Sequence, residues 1–521
     1  MEGEVKAGAI SRAAAIGAAS AALLLALPSF SHAQVPGRDA DPVVLKGAQL
    51  PALLGADPSG VVAFRWTGSA WDQVPVQVDE RAAVAYNQIY NDATCSFTCN
   101  FTGLNEVYTD SGTWTGADPD PSLDAGDELA LMAKDSGPQG PETGPAGVAP
   151  GSRVQLELTD PISGGGGSFV YLYRSAGALD PAAGEDYVDY DFNLTSGDYK
   201  STYLIPDGPN PETSSVETDY YRHDGITDRW TDQNLEVLGR GSTEVDILDG
   251  DKHQFAPSTC GRSERTFTGE QDSGEGAFIV NTGGPVRAIR SYYGANSGPF
   301  TQKTHIYYEQ RSDTRVDLRV HAIPSVMSFL DFSPAASGMT YRNPANPGGI
   351  TIDGEPDTPA ASGAPAWEQV TGPQGTLDIV GRYTTDISPL TIQHYWYDDS
   401  TPDSAHMQCS GDSAAYGSTG SWITSSLPTT DPRNAGYKSL SAVRTIYYDP
   451  PSQPLSAAEG RAAQVDQPVQ AAATTQPFQP FVEPPARTGT RAAALKRCKK
   501  IKKTKKAKRK KCVRNAKKRS P

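Results

Sequence analysis

The amino-acid sequence predicts an all-β protein: one or two β-sandwich domains, a disordered linker and a lysine-rich C-terminal tail. Three observations carry that expectation. The 51 glycines and 41 prolines cut the chain into short runs, the punctuation of a sheet protein with frequent turns. Several runs alternate apolar and polar residues with a period of two. Helical signals are few, confined to 228–238 and a short segment after Ser325.

Taken in order, the chain opens with Lys6 and Arg12, an apolar run over 13–27, and the small-residue pattern Ser31-His32-Ala33. This is the layout of a secretory signal peptide over 1–33, with cleavage expected before Gln34. The apolar run falls short of the roughly 20 residues a membrane span needs. No later segment is apolar enough to cross a bilayer, so no transmembrane segment is expected after cleavage.

An N-terminal β-module is expected over 34–135. Residues 61–66 and 71–78 read as a strand, a Thr-Gly-Ser-Ala turn and a returning strand. Pro75 places the second at a sheet edge, because proline cannot donate to a ladder. A polar excursion over 85–121 follows, long for a simple connection, and 128–133 reads as a further strand or short helix. Residues 136–151 hold four prolines and five glycines and mark a boundary.

The main β-sandwich region is expected over 152–449. Strands are read at 153–158, 168–174, 186–191, 199–205 and 217–221, then at 367–370, 376–383, 390–397 and 442–448. The clearest pattern lies between them, as three successive strands at 286–293, 301–309 and 315–323. In the third, Val316, Leu318, Val320 and Ala322 alternate with Arg315, Asp317, Arg319 and His321, the signature of an antiparallel meander with one buried and one wet face. Residues 450–486 are rich in Pro, Gln, Ala and Thr and read as the disordered linker. Residues 487–521 are the basic tail.

Charge is divided unevenly. Of the 46 Lys and Arg, 18 lie in 487–521, which holds no acid; residues 1–486 keep 28 against 61 Asp and Glu, a net of −33. A body that acidic repels other polyanions, so no specific nucleic-acid partner is expected. The tail suits attachment to a glycan or an anionic cell-envelope polymer.

Six cysteines in an exported chain point to disulfides. Proximity favours Cys95 with Cys99, Cys260 with Cys409, and Cys498 with Cys512, out of about 15 pairings that six cysteines allow. A continuous helix would hold Cys498 and Cys512 about 21 Å apart, so a bridge there requires the tail to fold back. Spacing gives little support for zinc: the one short pair is C-x3-C, and His223, His253 and His406 sit in unrelated contexts.

Two places carry candidate chemistry. Alternation puts Lys303, His305 and Tyr307 on one face of the second meander strand, and Arg319 and His321 on one face of the third. If those faces coincide, the set could strip a proton beside a sugar carboxylate while arginine holds that carboxylate. His394 and Trp396 share a face farther on and are candidates for ligand binding. Charged and aromatic residues solvating the outer face is the plainer account. The acidic run Asp118, Asp120, Asp124, Asp127 and Glu128 offers oxygen ligands of the kind calcium takes, though it misses the EF-hand spacing and reads more simply as solvated turns. No other cofactor is expected.

Val74-Pro-Val-Gln-Val-Asp-Glu80, with Leu123-Asp-Ala-Gly-Asp-Glu-Leu129 and Met132-Ala-Lys-Asp135, resembles a leading β-module of exported bacterial proteins, some of which look sugar-active. Gly284-Pro-Val-Arg-Ala-Ile-Arg290 through His321, with Gly338-Met-Thr-Tyr-Arg342, resembles a family of uncharacterised exported actinobacterial proteins. The tail is similar to ends found on many exported proteins of that group. The resemblance implies compartment and fold and supplies no catalytic residue. Together these readings lead to a secreted or surface-retained glycan-binding protein. The alternatives are a polysaccharide lyase-like enzyme acting through the polar face of 301–323, and an envelope protein with no small ligand.

Overall fold

The computed structural model describes residues 35–85, 104–113, 115–164, 167–193, 213–226, 234–255, 277–293, 301–401, 414–430, 436–479, 481, 490–500 and 506–517. The expected signal peptide lies outside them, as do the expected strand at 199–205 and Cys95, Cys99, Cys260 and Cys409. The described chain is mostly antiparallel β-sheet, with few helices. The expected all-β class holds.

Two bodies share one strand. In the N-terminal body, Pro42–Lys46, Glu128–Met132 and Gln77–Asp79 form a three-stranded sheet. Against it packs a five-stranded sheet ordered Gln470–Thr475, Val154–Thr159, Ser168–Arg174, Val61–Trp66, Trp71–Val74. Val43, Leu45, Val61, Leu129, Leu131, Leu156 and Leu172 fill the space between, each fully buried aliphatic contributing roughly 1.5–3 kcal/mol. The expected strand over 71–78 breaks at Pro75 and divides its halves between the two sheets. Trp71–Val74 is an edge strand. The strands Val154–Thr159 and Ser168–Arg174 pair within this body, so it runs past the Pro/Gly-rich segment at 136–151 that was expected to end it.

The run Glu128–Met132 is buried at every position, because it serves both bodies. Leu129 and Leu131 point into the N-terminal core, while Ala130 and Met132 belong to the second core. Alternation is lost when both faces of a strand are covered.

The second body stacks two large sheets, with a smaller sheet of Asp189–Asp191, Ser214–Glu217, Tyr221–Ile226 and Glu236–Val237 on the same core. One has nine strands: Ala277–Thr282, Ala288–Tyr293, Gln302–Tyr307, Arg311–Arg319, Ser439–Asp449, Gly375–Thr385, Glu368–Gly372, Thr340–Asn343 and Asn346–Thr351. The other has four: Leu248–Phe255, Val326–Phe332, Ala415–Ile423 and Ile392–Asp399. The three-strand meander is present, with its third strand shifted to Arg311–Arg319. The i,i+2 ion pairs Arg311–Asp313 (2.9 Å) and Arg315–Asp317 (2.8 Å) settle the charges along its outer face. The helical turn expected after Ser325 is instead the strand Val326–Phe332, a sheet-centre strand buried on both faces. In the stretch expected to be helical over 228–238, the described Glu236–Val237 is strand.

Residues 450–486 are not a disordered linker where described. Leu455–Asp466 is a helix whose Ala458 and Ala462, one turn apart, pack on Trp367 and Val380. Gln470–Thr475 then adds an edge strand to Val154–Thr159, with Ala471 and Ala473 against the N-terminal core. Composition misled here because small alanines let a helix and a strand approach closely without bulky apolar side chains. The tail folds back as two helices, Thr490–Lys499 and Lys506–Lys517. Cys498 and Cys512 are bridged, their Cα atoms 5.6 Å apart. Among the described residues, no helix is long and apolar enough to cross a membrane.

Candidate functional site

Residues opposite one another in an antiparallel ladder share a face, and register therefore decides which candidates meet. Lys303 faces Val316, His305 faces Thr314, and Tyr307 faces Ser312. All three side chains turn inward, Lys303 toward the strand Leu248–Phe255 and Tyr307 toward His223. There Lys303 lies 3.4 Å from Asp251, which also pairs with Arg444. His305 Nδ1 is 3.3 Å from Thr314 Oγ1, and its ring stacks on Tyr307. Arg319 is paired with Ser439 and shares the face of Asp317, opposite to that of Lys303 and His305. His321 follows the end of the strand. The five residues do not form one site.

His394 and Trp396 also face inward. His394 Nε2 lies 2.7 Å from the Tyr341 hydroxyl, which donates to Glu368 at 2.9 Å. Trp396 packs on the Tyr341 ring at 4.3 Å. The neighbouring inter-sheet space, lined by Thr314, Glu368, Tyr383, Ser421 and Arg444, leaves about 30 Å³ for the centres of water molecules. That admits water and not a sugar ring. The pairs Lys303–Asp251–Arg444 and His394–Tyr341–Glu368 bridge neighbouring strands across this space and help fix how the sheets stack.

The roomier site lies on the outer face of the nine-stranded sheet. A hairpin, Arg81–Ala85 paired with Leu104–Tyr108, stands beside that face. Val84, Val107 and Tyr108 pack with Ile279, Ile289 and Ile306 of the sheet. Between hairpin and sheet runs a groove of about 500 Å³, within the usual range for ligand sites. Its floor is set by register: Gln302 faces Asp317, Asp317 faces Ser441, and Ser441 faces Thr384. This polar row crosses four strands, about 14 Å at ordinary strand spacing. Beside it, Thr304 faces Arg315, and Arg315 donates to both oxygens of Asp317 at 2.8 and 3.1 Å. Tyr437 adds aromatic surface.

One end of the groove is an ionic knot. Glu128 accepts from Arg81 at 2.5 Å, Lys46 at 2.9 Å, Arg287 at 2.9 Å and the Tyr108 hydroxyl at 2.6 Å. Burial pushes its carboxyl up, but Arg287, Tyr108, Lys46 and Arg81 together outweigh burial and hold it well below the ordinary range. Burial raises the Tyr108 hydroxyl far above its usual value, so it stays protonated. The knot fixes the hairpin's foot.

The acidic run divides once folded. Glu128 is taken by these cations. Asp124 accepts from the Gly126 and Asp127 amides, and Asp120 from Ser122. Asp118 and Asp127 converge instead with Glu80, one carboxylate oxygen of each lying within 4.8 Å of the others. Burial, then repulsion from Asp127, Asp118, Asp124 and Asp120, pushes Glu80 up to about 7. Reading the sequence missed Glu80, whose only signal is its place at the junction of two strands. It also missed the groove row, although Ser439 and Ser441 alternate with Leu440 and Ala442.

No known protein-family model matches the chain, and no curated protein matches it. Among solved structures, the crystal structure of the Slr1438 protein from Synechocystis sp. PCC 6803 aligns at 14% identity, over 48% of this chain and 99% of that one, with a TM-score of 0.27. At that score the likeness carries no argument.

Proposed function

We propose that this is an exported glycan-binding protein whose groove beside the Arg81–Ala85 hairpin holds a polyhydroxylated chain. The observation that carries the reading is the row Gln302, Asp317, Ser441 and Thr384 along the groove floor. It alternates amide, carboxylate and hydroxyl groups across four strands, so a sugar chain laid across them meets an acceptor or donor at each strand. Arg315 and Asp317 are paired with each other and partly exposed, which leaves both open to hydroxyl groups at little desolvation cost. A lyase acting through Lys303, His305 and Tyr307 is less favoured, because those side chains face the narrow inter-sheet space. The basic helical hairpin at the C-terminus supplies a second contact, with an anionic cell-envelope polymer. A glycan array probed with the chain lacking residues 487–521 tests the reading. Binding of neutral or acidic polysaccharides by that body supports it; a blank array opposes it.

A further inference from the structure

We infer that Glu80, Asp118 and Asp127 form a divalent-cation site of the calcium type at the foot of the groove's hairpin wall. Each comes from a different segment. Glu80 joins the strands Gln77–Asp79 and Arg81–Ala85, Asp118 lies in the loop after Leu104–Tyr108, and Asp127 precedes Glu128–Met132. One oxygen from each sits within 4.8 Å of the other two.

What separates this group from an ordinary acidic surface is the state of its oxygens. Both carboxylate oxygens of Glu80 and Oδ2 of Asp118 are closed to solvent and accept no hydrogen bond. A carboxylate shut from water without a partner is costly, and a cation removes that cost. The guanidinium of Arg81, next in sequence to Glu80, is turned to Glu128 and Glu106. Asp127 is fully buried, and the amides of Arg81 and Asp124 hold it in place at 2.8 and 2.6 Å. Its oxygens keep lone pairs beyond those two bonds.

The loop behind the site packs closely on Gly47. Gly47 donates to the Asp127 carbonyl at 2.9 Å, and a Cβ at Gly47 would sit 1.7 Å from the Asp124 carbonyl oxygen. Two other acidic groups lack these features. Glu309, near Glu185 and Asp219, has Lys134 at 2.5 Å. Asp353 and Asp357, near Asp398, are exposed. An all-oxygen set on loops suits calcium better than zinc or copper. A bound cation would pin the hairpin's foot to the N-terminal sheet. The inference rests on this geometry and not on the glycan reading.

The test is isothermal titration of the full chain, stripped with EDTA, with calcium chloride. The expected result is one saturable site and a higher melting temperature, with Glu80→Gln and Asp118→Asn each weakening binding about ten-fold or more. Asp353→Asn leaves binding unchanged. Asp118→Asn guards against loss of folding, because its neighbours Ala117 and Pro119 are exposed. Absence of saturable uptake, or uptake indifferent to Asp118→Asn, overturns the site. Glycan binding is scored on its own titration, so failure of either reading is distinguishable from failure of the other.

Discussion

Arg287, one residue ahead of the strand Ala288–Tyr293, reaches Glu128 of the N-terminal body at 2.9 Å while its Nε donates to Asp79 at 2.8 Å. It is 1% exposed. Gln77 joins the same seam, accepting the Val286 and Arg287 amides at 3.2 and 3.0 Å. The two bodies are therefore tied by a buried charge cluster in addition to the strand they share.

Breaking that cluster from one side takes the arginine from buried Asp79 and leaves Glu128 with Arg81 and Lys46 only. Arg287→Met is expected to cost about 3–5 kcal/mol, read as a lower midpoint in urea titrations. A loss under about 1 kcal/mol would show that the acids find other partners.

Asp378 sets a pH dependence. Burial is the main influence raising its carboxyl, to about 7, with Asp449 adding repulsion against the pull of the Gln369 hydrogen bond and Arg461. The folded state then keeps a proton that the unfolded chain releases near pH 4. Stability should fall as pH rises from about 4 to about 7, by on the order of a few kcal/mol, and level off above that. Asp378→Asn should remove this fall and stabilise the protein at about pH 8. Equal slopes for both proteins in urea titrations across that window would exclude Asp378 as the cause.

Much of the fold was legible in the sequence where a strand has one wet face. Arg315, Asp317 and Arg319 announced their strand because charge alternated with Val316 and Leu318. The strands Glu128–Met132 and Val326–Phe332 were harder, since burial of both faces erases the period that separates strand from helix. The site was the least legible part. Lys303 and His305 look like surface chemistry in one dimension, and only their pairing with Val316 and Thr314, together with the covering sheet, reveals that they face inward. The groove row spans residues 302–441, a relation that register creates and local pattern cannot express. Glu128 looked like a calcium ligand until folding delivered three cations to it.

The tail should act as an electrostatic tether. Its two cationic helices, clasped by Cys498 and Cys512, present charge worth about 1 kcal/mol per well-placed cation at an anionic surface. Deleting residues 487–521 is expected to release the protein from washed cells, and raised sodium chloride to release the intact form. Retention unaffected by both treatments would remove the tail from the account.

The most direct measurement is calorimetric titration of the tail-less body with the strongest glycan from the array, beside the variants Gln302→Ala and Ser441→Trp. Gln302→Ala should weaken binding by about 1 kcal/mol, near five-fold, and Ser441→Trp, which fills the groove, should abolish it without lowering the melting temperature. Undiminished binding by a folded Ser441→Trp protein would contradict the account by placing the glycan elsewhere.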